Sequence, residues 1–161
     1  MTLNKIFKNS LLLISACLLL SACATQKTVT SGSQMQGDVY TGTDTVKELA
    51  PGVPDRVFFA TNESILTTAS RETLRKQAEY LRKNSSMNIV LEGHADERGT
   101  REYNLALGER RANAAKDYLM TYGISASRIS VISYGKERPV DSGSNTLAWS
   151  KNRRSVTVKA N

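Results

Sequence analysis

Beyond residue 23 the chain has no cysteine. Its only two, Cys17 and Cys23, lie within or at the edge of an N-terminal apolar segment, so disulfides contribute nothing to the fold of the remainder. Histidine is almost as scarce, with His94 alone. A metal centre needs at least three converging ligands, and covalent catalysis needs a nucleophile beside a base. His94 with Asp96 and Glu97 meets neither requirement well: no second histidine exists, and the glycines on either side, Gly93 and Gly99, suit the loop to backbone contacts. No metal, no cofactor and no enzyme activity are expected, and His94 is expected to orient its loop by hydrogen bonding. A clustered basic face interleaved with aromatics is also missing. The net charge is +7, but Arg and Lys alternate with Glu and Asp along most of the chain, which argues against a nucleic-acid partner.

What is present begins with an address. In residues 1–22, Lys5 and Lys8 form a positive start and Leu11 to Leu20 an apolar run too short to span a bilayer comfortably. A product beginning at Cys23 carries 20 basic and 15 acidic side chains. The run ends in Leu20-Ser21-Ala22-Cys23, which resembles the lipobox of bacterial lipoproteins. That resemblance implies an S-diacylglyceryl group and an N-acyl chain on Cys23, a product anchored to a membrane by lipid and, with Ala24 rather than aspartate next, residence at the outer membrane. Two or more acyl chains give stable anchoring, at about 0.8 kcal/mol per buried methylene. Cys17 belongs to the apolar run.

Residues 23–54 are rich in Thr, Ser, Gly and Gln, a composition that buries too little surface to offset ordering entropy. They read as a lipidated N-terminus and flexible linker, about 100 Å long if fully extended, although Val39, Tyr40, Val46 and Leu49 could form a short element. One domain follows, residues 55–161. Val57 to Ala60 reads as a first strand and Ala69 to Lys83 as a helix with Leu74, Ala78 and Leu81 on one face. Met87 to Glu92 reads as a second strand, and about Arg101 to Tyr122 as a helix with Leu105, Ala112, Ala115, Leu119 and Tyr122 inward, ended by Gly123. Ile129 to Tyr134 makes a third strand, a helical turn surrounds Trp149, and Ser155 to Lys159 makes a fourth strand. The expected fold is an α/β (α+β) two-layer sandwich: a mixed four-stranded sheet with helices on one face, in βαβαβ-β order.

The chemistry concentrates in Gly93-His94-Ala95-Asp96-Glu97-Arg98-Gly99-Thr100, at a strand-to-helix junction where backbone N–H groups and the positive end of a helix converge. Thr100 is placed as the helix N-cap. At 100° per residue Arg111 falls at the edge of the apolar stripe beside Asn104 and Tyr118, and Arg110 points to solvent. Asp96 and Arg111 can therefore either pair with each other or take opposite ends of a zwitterionic ligand. Spacing alone favours the salt bridge.

Glu92 to Thr100, with Tyr103-Asn104, Gly108 to Asn113, Ser133 to Glu137 and Ser150 to Arg154, resembles the OmpA-like peptidoglycan-binding domain family, and in particular its lipoprotein branch, over roughly residues 56–159. The resemblance implies binding to the cell-wall peptidoglycan through the meso-diaminopimelate of its stem peptide, whose free end carries an ammonium and a carboxylate on one carbon. By position, Asp96 would accept the ammonium and Arg111 would fork onto the carboxylate. Asn62 falls where the family places an Asn or Asp beside the ligand. Phe59 either lines that pocket or sits in the core. Leu105 packs on the sheet, with its backbone near the ligand. The resemblance further implies a periplasmic location and TolB and other Tol proteins as partners, in support of envelope integrity and cell division. Two positions depart from the branch's pattern: Arg101 stands where proline is usual, and Thr61-Asn62 replaces a more acidic phrase.

Overall fold

The computed structural model describes residues 35–160. The signal segment, Cys17, Cys23 and the first part of the expected linker lie outside the described residues. Among the described residues no helix is long and apolar enough to cross a membrane.

Two small antiparallel hairpins come first: β1 (Met35–Gln36) with β2 (Val39–Tyr40), and β3 (Glu48–Ala50) with β4 (Val53–Pro54). This corrects the reading of a linker through residue 54. Few as the large apolar residues are here, they are well used: Tyr40 is buried edge-on against Phe58, with ring centres 4.8 Å apart, and Leu49 is buried as well. Ionic contacts add to this. Asp55, at the end of the second hairpin, accepts the Lys47 N–H and pairs with Arg56, and Lys151 reaches back to Asp44.

The main sheet has the order β5-β8-β6-β7, built from β5 (Arg56–Phe58), β6 (Ile89–His94), β7 (Ile129–Gly135) and β8 (Arg154–Lys159). Only β6 and β7 run parallel, as a strand–helix–strand crossover requires; β8 pairs antiparallel with both β5 and β6. The mixed sheet and helix placement are those expected from the sequence. Helix α1 (Thr68–Lys83) is capped by Thr67, whose side chain accepts the Ser70 N–H at 3.1 Å, and buries Leu74, Ala78 and Leu81. At its C-terminal end Arg128 donates to the Leu81 carbonyl in the last turn and to the Asn84 and Met87 carbonyls just beyond it; a cation there also offsets the negative end of the helix dipole.

Helix α2 (Arg101–Thr121) starts at Thr100, which accepts the Tyr103 N–H at 3.2 Å, as expected. Its buried face is Asn104, Leu107, Gly108, Arg111, Ala112, Ala115 and Leu119. Leu105 is not part of it: this residue is 49% exposed, so the expectation that it packs on the sheet is corrected to Leu107. Asn104, Gly108 and Arg111 recur at helical spacing, so Leu107 is the one large apolar side chain in the first half of the buried stripe, and a search for hydrophobic residues alone picks the wrong leucine. The helix lies unusually close to β6. A Cβ built on Gly93 would fall 1.8 Å from the Gly108 oxygen, and one on Gly108 only 2.4 Å from Ser133 Oγ. Two glycines therefore fix how deeply the N-terminal half of α2 sits on the strand that delivers Asp96. The core joins Val57, Phe59, Leu74, Ala78, Leu81, Ile89, Leu91, Ala112, Ala115 and Leu119 on the helix-covered face of the sheet. A short helix α3 (Thr146–Asn152), capped by Asn145, precedes β8.

Candidate functional site

The site forms where the loop after β6, the turn after β5 and the residue before β8 meet. Asp96 is buried and does not pair with Arg111. One of its oxygens accepts the Arg98 N–H and Nε–H, both at 3.1 Å; the other accepts Arg98 Nη2 at 2.7 Å and Arg153 Nη1 at 3.3 Å. Burial pushes the Asp96 pKa up, but the Arg98 and Arg153 hydrogen bonds outweigh it and hold the carboxyl below its ordinary value. Asp96 is thus a fixed anion at neutral pH.

Arg111 is fully buried and donates only to backbone carbonyls: Nε to Glu63 at 2.8 Å, Nη1 to His94 at 2.9 Å and Nη2 to Ala60 at 3.0 Å. Its guanidinium lies 5.4 Å from the centre of the Phe59 ring. Burial, then repulsion from Arg153, lowers its pKa to about 10, which still leaves it charged. Of the five guanidinium hydrogens, three are accounted for, and no carboxylate among the described residues pairs with it. A buried cation without its counter-charge is costly. The salt bridge favoured by spacing is therefore corrected: Asp96 and Arg111 sit in one neighbourhood, with Arg111 reaching the carbonyl two residues before Asp96, but remain separate.

The remaining expected site residues divide. Phe59 is wholly buried and belongs to the core. Asn62 is exposed at the tip of the turn between Ala60 and Glu63, in a left-handed conformation (φ 58°) that asparagine tolerates better than most residues. Leu105 faces outward beside a small cleft of about 240 Å³ bounded by Arg101, Tyr134 and Lys136, and takes no part in the hydrogen bonds and ion pairs of the Asp96 carboxylate among the described residues. His94 does not orient the loop by hydrogen bonding. Both ring nitrogens are buried without hydrogen-bond partners, Nε2 standing 3.8 Å from a Glu92 oxygen; the ring lies against Tyr134, and burial with nearby Arg154, Arg56 and Arg138 lowers its pKa to about 3.

Three contributors escaped the sequence reading. Arg98 clamps Asp96 and stacks 4.3 Å over Trp149, whose Nε1–H donates to Glu97. Arg153, buried between Asp96 and the Phe59 carbonyl, bridges the two ends of the site. Asp38, from the first hairpin, pairs with Arg153 Nη2 at 2.9 Å and accepts the Thr61 N–H. Arg98 and Arg153 lie inside the very phrases that mark the site, where each could equally have been a solvated surface charge; nothing in the sequence points to Asp38. Among the described residues no group of three His, Cys, Asp or Glu side chains converges on a point that could hold a metal ion.

A buried anion held by two arginines therefore lies beside a buried arginine with hydrogens to spare. The chain belongs to the OmpA family, whose model matches residues 58–153, and within it to the peptidoglycan-associated lipoproteins. It is 43% identical over 145 residues to the peptidoglycan-associated lipoprotein of Mesorhizobium japonicum, covering 89% of this chain and 86% of that one. To the protein of that description from Agrobacterium fabrum it is 41% identical over 160 residues, covering 97% and 90%. Among solved structures, the peptidoglycan-associated lipoprotein from Burkholderia pseudomallei superposes with a TM-score of 0.64 at 35% identity, covering 66% of this chain and 90% of that one. The C-terminal domain of Helicobacter pylori MotB shares the fold alone, with a TM-score of 0.62 at 19% identity over 66% of this chain and 84% of that one.

Proposed function

We propose that this protein tethers the outer membrane to the cell wall, held in the membrane by acyl chains on Cys23 and gripping peptidoglycan without covalent bonds through its periplasmic domain. The ligand is the meso-diaminopimelate end of the stem peptide: Asp96 receives its ammonium and Arg111 its carboxylate, with Arg98 and Arg153 holding Asp96 charged. The single observation that carries this reading is Arg111, a buried guanidinium whose acceptors are all neutral carbonyls. Each charge-assisted bond to the ligand contributes about 1.5–3 kcal/mol, so one grip is modest, and many copies in one membrane supply the hold through effective concentration. The work is recognition rather than catalysis.

TolB and other Tol proteins are the proposed protein partners. The apolar side chains exposed on the first turns of α2, Tyr103 and Leu105, follow directly on the loop that carries Asp96. A partner seated there would compete with the wall. The tether reading is tested by sedimenting the full chain in detergent with purified peptidoglycan, and by labelling cells with radioactive palmitate. The protein should co-sediment, Asp96→Asn should stay in the supernatant, and Cys23→Ser should take up no label. Co-sedimentation of Asp96→Asn at the parental level would remove the site assignment.

A further inference from the structure

The proposed site is closed in this structure. Arg111 has no exposed surface, and two of the carbonyls that receive it, Ala60 and Glu63, belong to the turn that runs over it. That turn is tied down from outside. The backbone N–H of Thr61, in the middle of it, donates to the Asp38 carboxylate. The other Asp38 oxygen takes Arg153 Nη2, the nitrogen on the opposite side of the guanidinium from the one that holds Asp96. Asp38 thus occupies a pair of donors, a backbone amide and an arginine fork, of the kind that binds a free carboxylate.

We infer that the β1–β2 hairpin is a strap and that Asp38 is a built-in competitor, latching the 60–63 turn over Arg111 until a ligand carboxylate displaces it. This rests on the site assignment proposed above and adds a regulator to it. Three observations favour displacement over a permanent bond. The Asp38 side chain is 42% exposed although its partner Arg153 is buried, so water or a ligand carboxylate can reach the Asp38 side of the pair while Arg153 Nη2 stays near the Asp38 carbonyl. The hairpin has only two residues in each strand, which alone is marginal in water. Its turn depends on Gly37 at φ 62° with open space around it. The strap also lies upstream of residues 58–153, the stretch the family model matches, and it is the first described element after the proposed lipid-bearing end. Tension on the tether would reach the latch before it reached the sheet.

The test measures fluorescence anisotropy of a dye-labelled L-Ala-D-Glu-meso-diaminopimelate peptide titrated with the full chain in detergent, for the parent, Asp38→Asn and Gly37→Ala. Removing this ionic latch should tighten binding about two- to fivefold for Asp38→Asn. Gly37→Ala, which strains the hairpin turn while leaving every charge in place, should tighten it by about two- to fivefold. Gly37→Ala also keeps the test decisive if Asp38→Asn, by unpairing Arg153, fails to fold. Parental binding with equal or weaker binding by the folded variants overturns the strap and leaves the site assignment standing. If neither the parent nor the variants bind, both fall.

Discussion

Replacing Arg111 should cost stability as well as binding, and the size of the loss follows from where its hydrogens go. In Arg111→Met the side chain keeps most of its volume, but the carbonyls of Ala60, Glu63 and His94 lose their donors. A buried acceptor left unpaired costs about 1–3 kcal/mol. The His94 bond is the most deeply buried and should be lost in full, whereas the turn carrying Ala60 and Glu63 can rehydrate in part. Set against these losses is the relief of no longer burying a cation beside Arg153, so the net destabilisation should be about 3 kcal/mol, a fall in Tm of roughly 10–15 °C for a domain of this size. Urea denaturation of the parent and the variant measures it, with Arg110→Met as the control. Arg110 is exposed, with its guanidinium 5.9 Å from the centre of the Tyr103 ring, so that change should stay within about 0.5 kcal/mol. A loss below about 1 kcal/mol for Arg111→Met would show that water or the turn itself satisfies those carbonyls, and the account of a closed, dry Arg111 would fail. The same reasoning makes Arg111→Ala a poor probe of binding, because unfolding and lost recognition would be confounded; Asp96→Asn keeps the shape of the side chain and one acceptor oxygen, and its melting curve, taken beside the binding assay, separates the two.

Gly93→Ala should destabilise the domain by more than about 2 kcal/mol, since the new methyl would meet the Gly108 backbone at 1.8 Å and neither strand nor helix can yield without opening the core; a melting curve matching the parent's would contradict the close approach. His94 is the sole histidine, so its ring protons are readily assigned by NMR. With its pKa lowered to about 3, the resonance should not shift between pH 8 and 5. The unfolded chain takes up this proton from about pH 6.5 downward while the folded one does not, so stability should decline as pH falls below 6.5, by at most about 1.4 kcal/mol per pH unit. That decline should be absent in His94→Gln. Asp96 works in a lower window: its depressed pKa means that its contribution is fully present above the ordinary carboxyl pKa of 3.8 and is lost only as pH drops beneath it. Stem-peptide binding should therefore be flat from pH 7 to 5, and a midpoint near pH 6 would point to a different group.

Much of the fold was legible because its elements follow simple periods. Leu74, Ala78 and Leu81 mark α1, alternate apolar residues mark β6, and Thr100 caps α2 as read. The candidate site was legible only as a neighbourhood. The phrase from Gly93 to Thr100 located it, but pairing between charges depends on tertiary distances that spacing along a helix does not supply. Asp96 turned to Arg98, two residues on, and to Arg153, more than fifty residues on, instead of Arg111. Leu105 was taken for an inward residue because hydrophobicity was the only guide, whereas the face it would have shared is lined by Asn104, Gly108 and Arg111. The first hairpin was legible only as a short element at Val39 and Tyr40 within a linker-like composition; its ordering comes from Tyr40 buried against Phe58 and from Arg153, 115 residues away.

The central claim is that Asp96 and Arg111 together read a carbon bearing both an ammonium and a carboxylate. It is tested most directly with two stem peptides identical except at the third residue, meso-diaminopimelate in one and L-lysine in the other, titrated against the full chain in detergent. Lysine keeps the amine and lacks only the second carboxylate, so an unpaired Arg111 should lower affinity by at least about tenfold, the equivalent of one lost charge-assisted bond. Equal affinity for the two peptides would contradict the account.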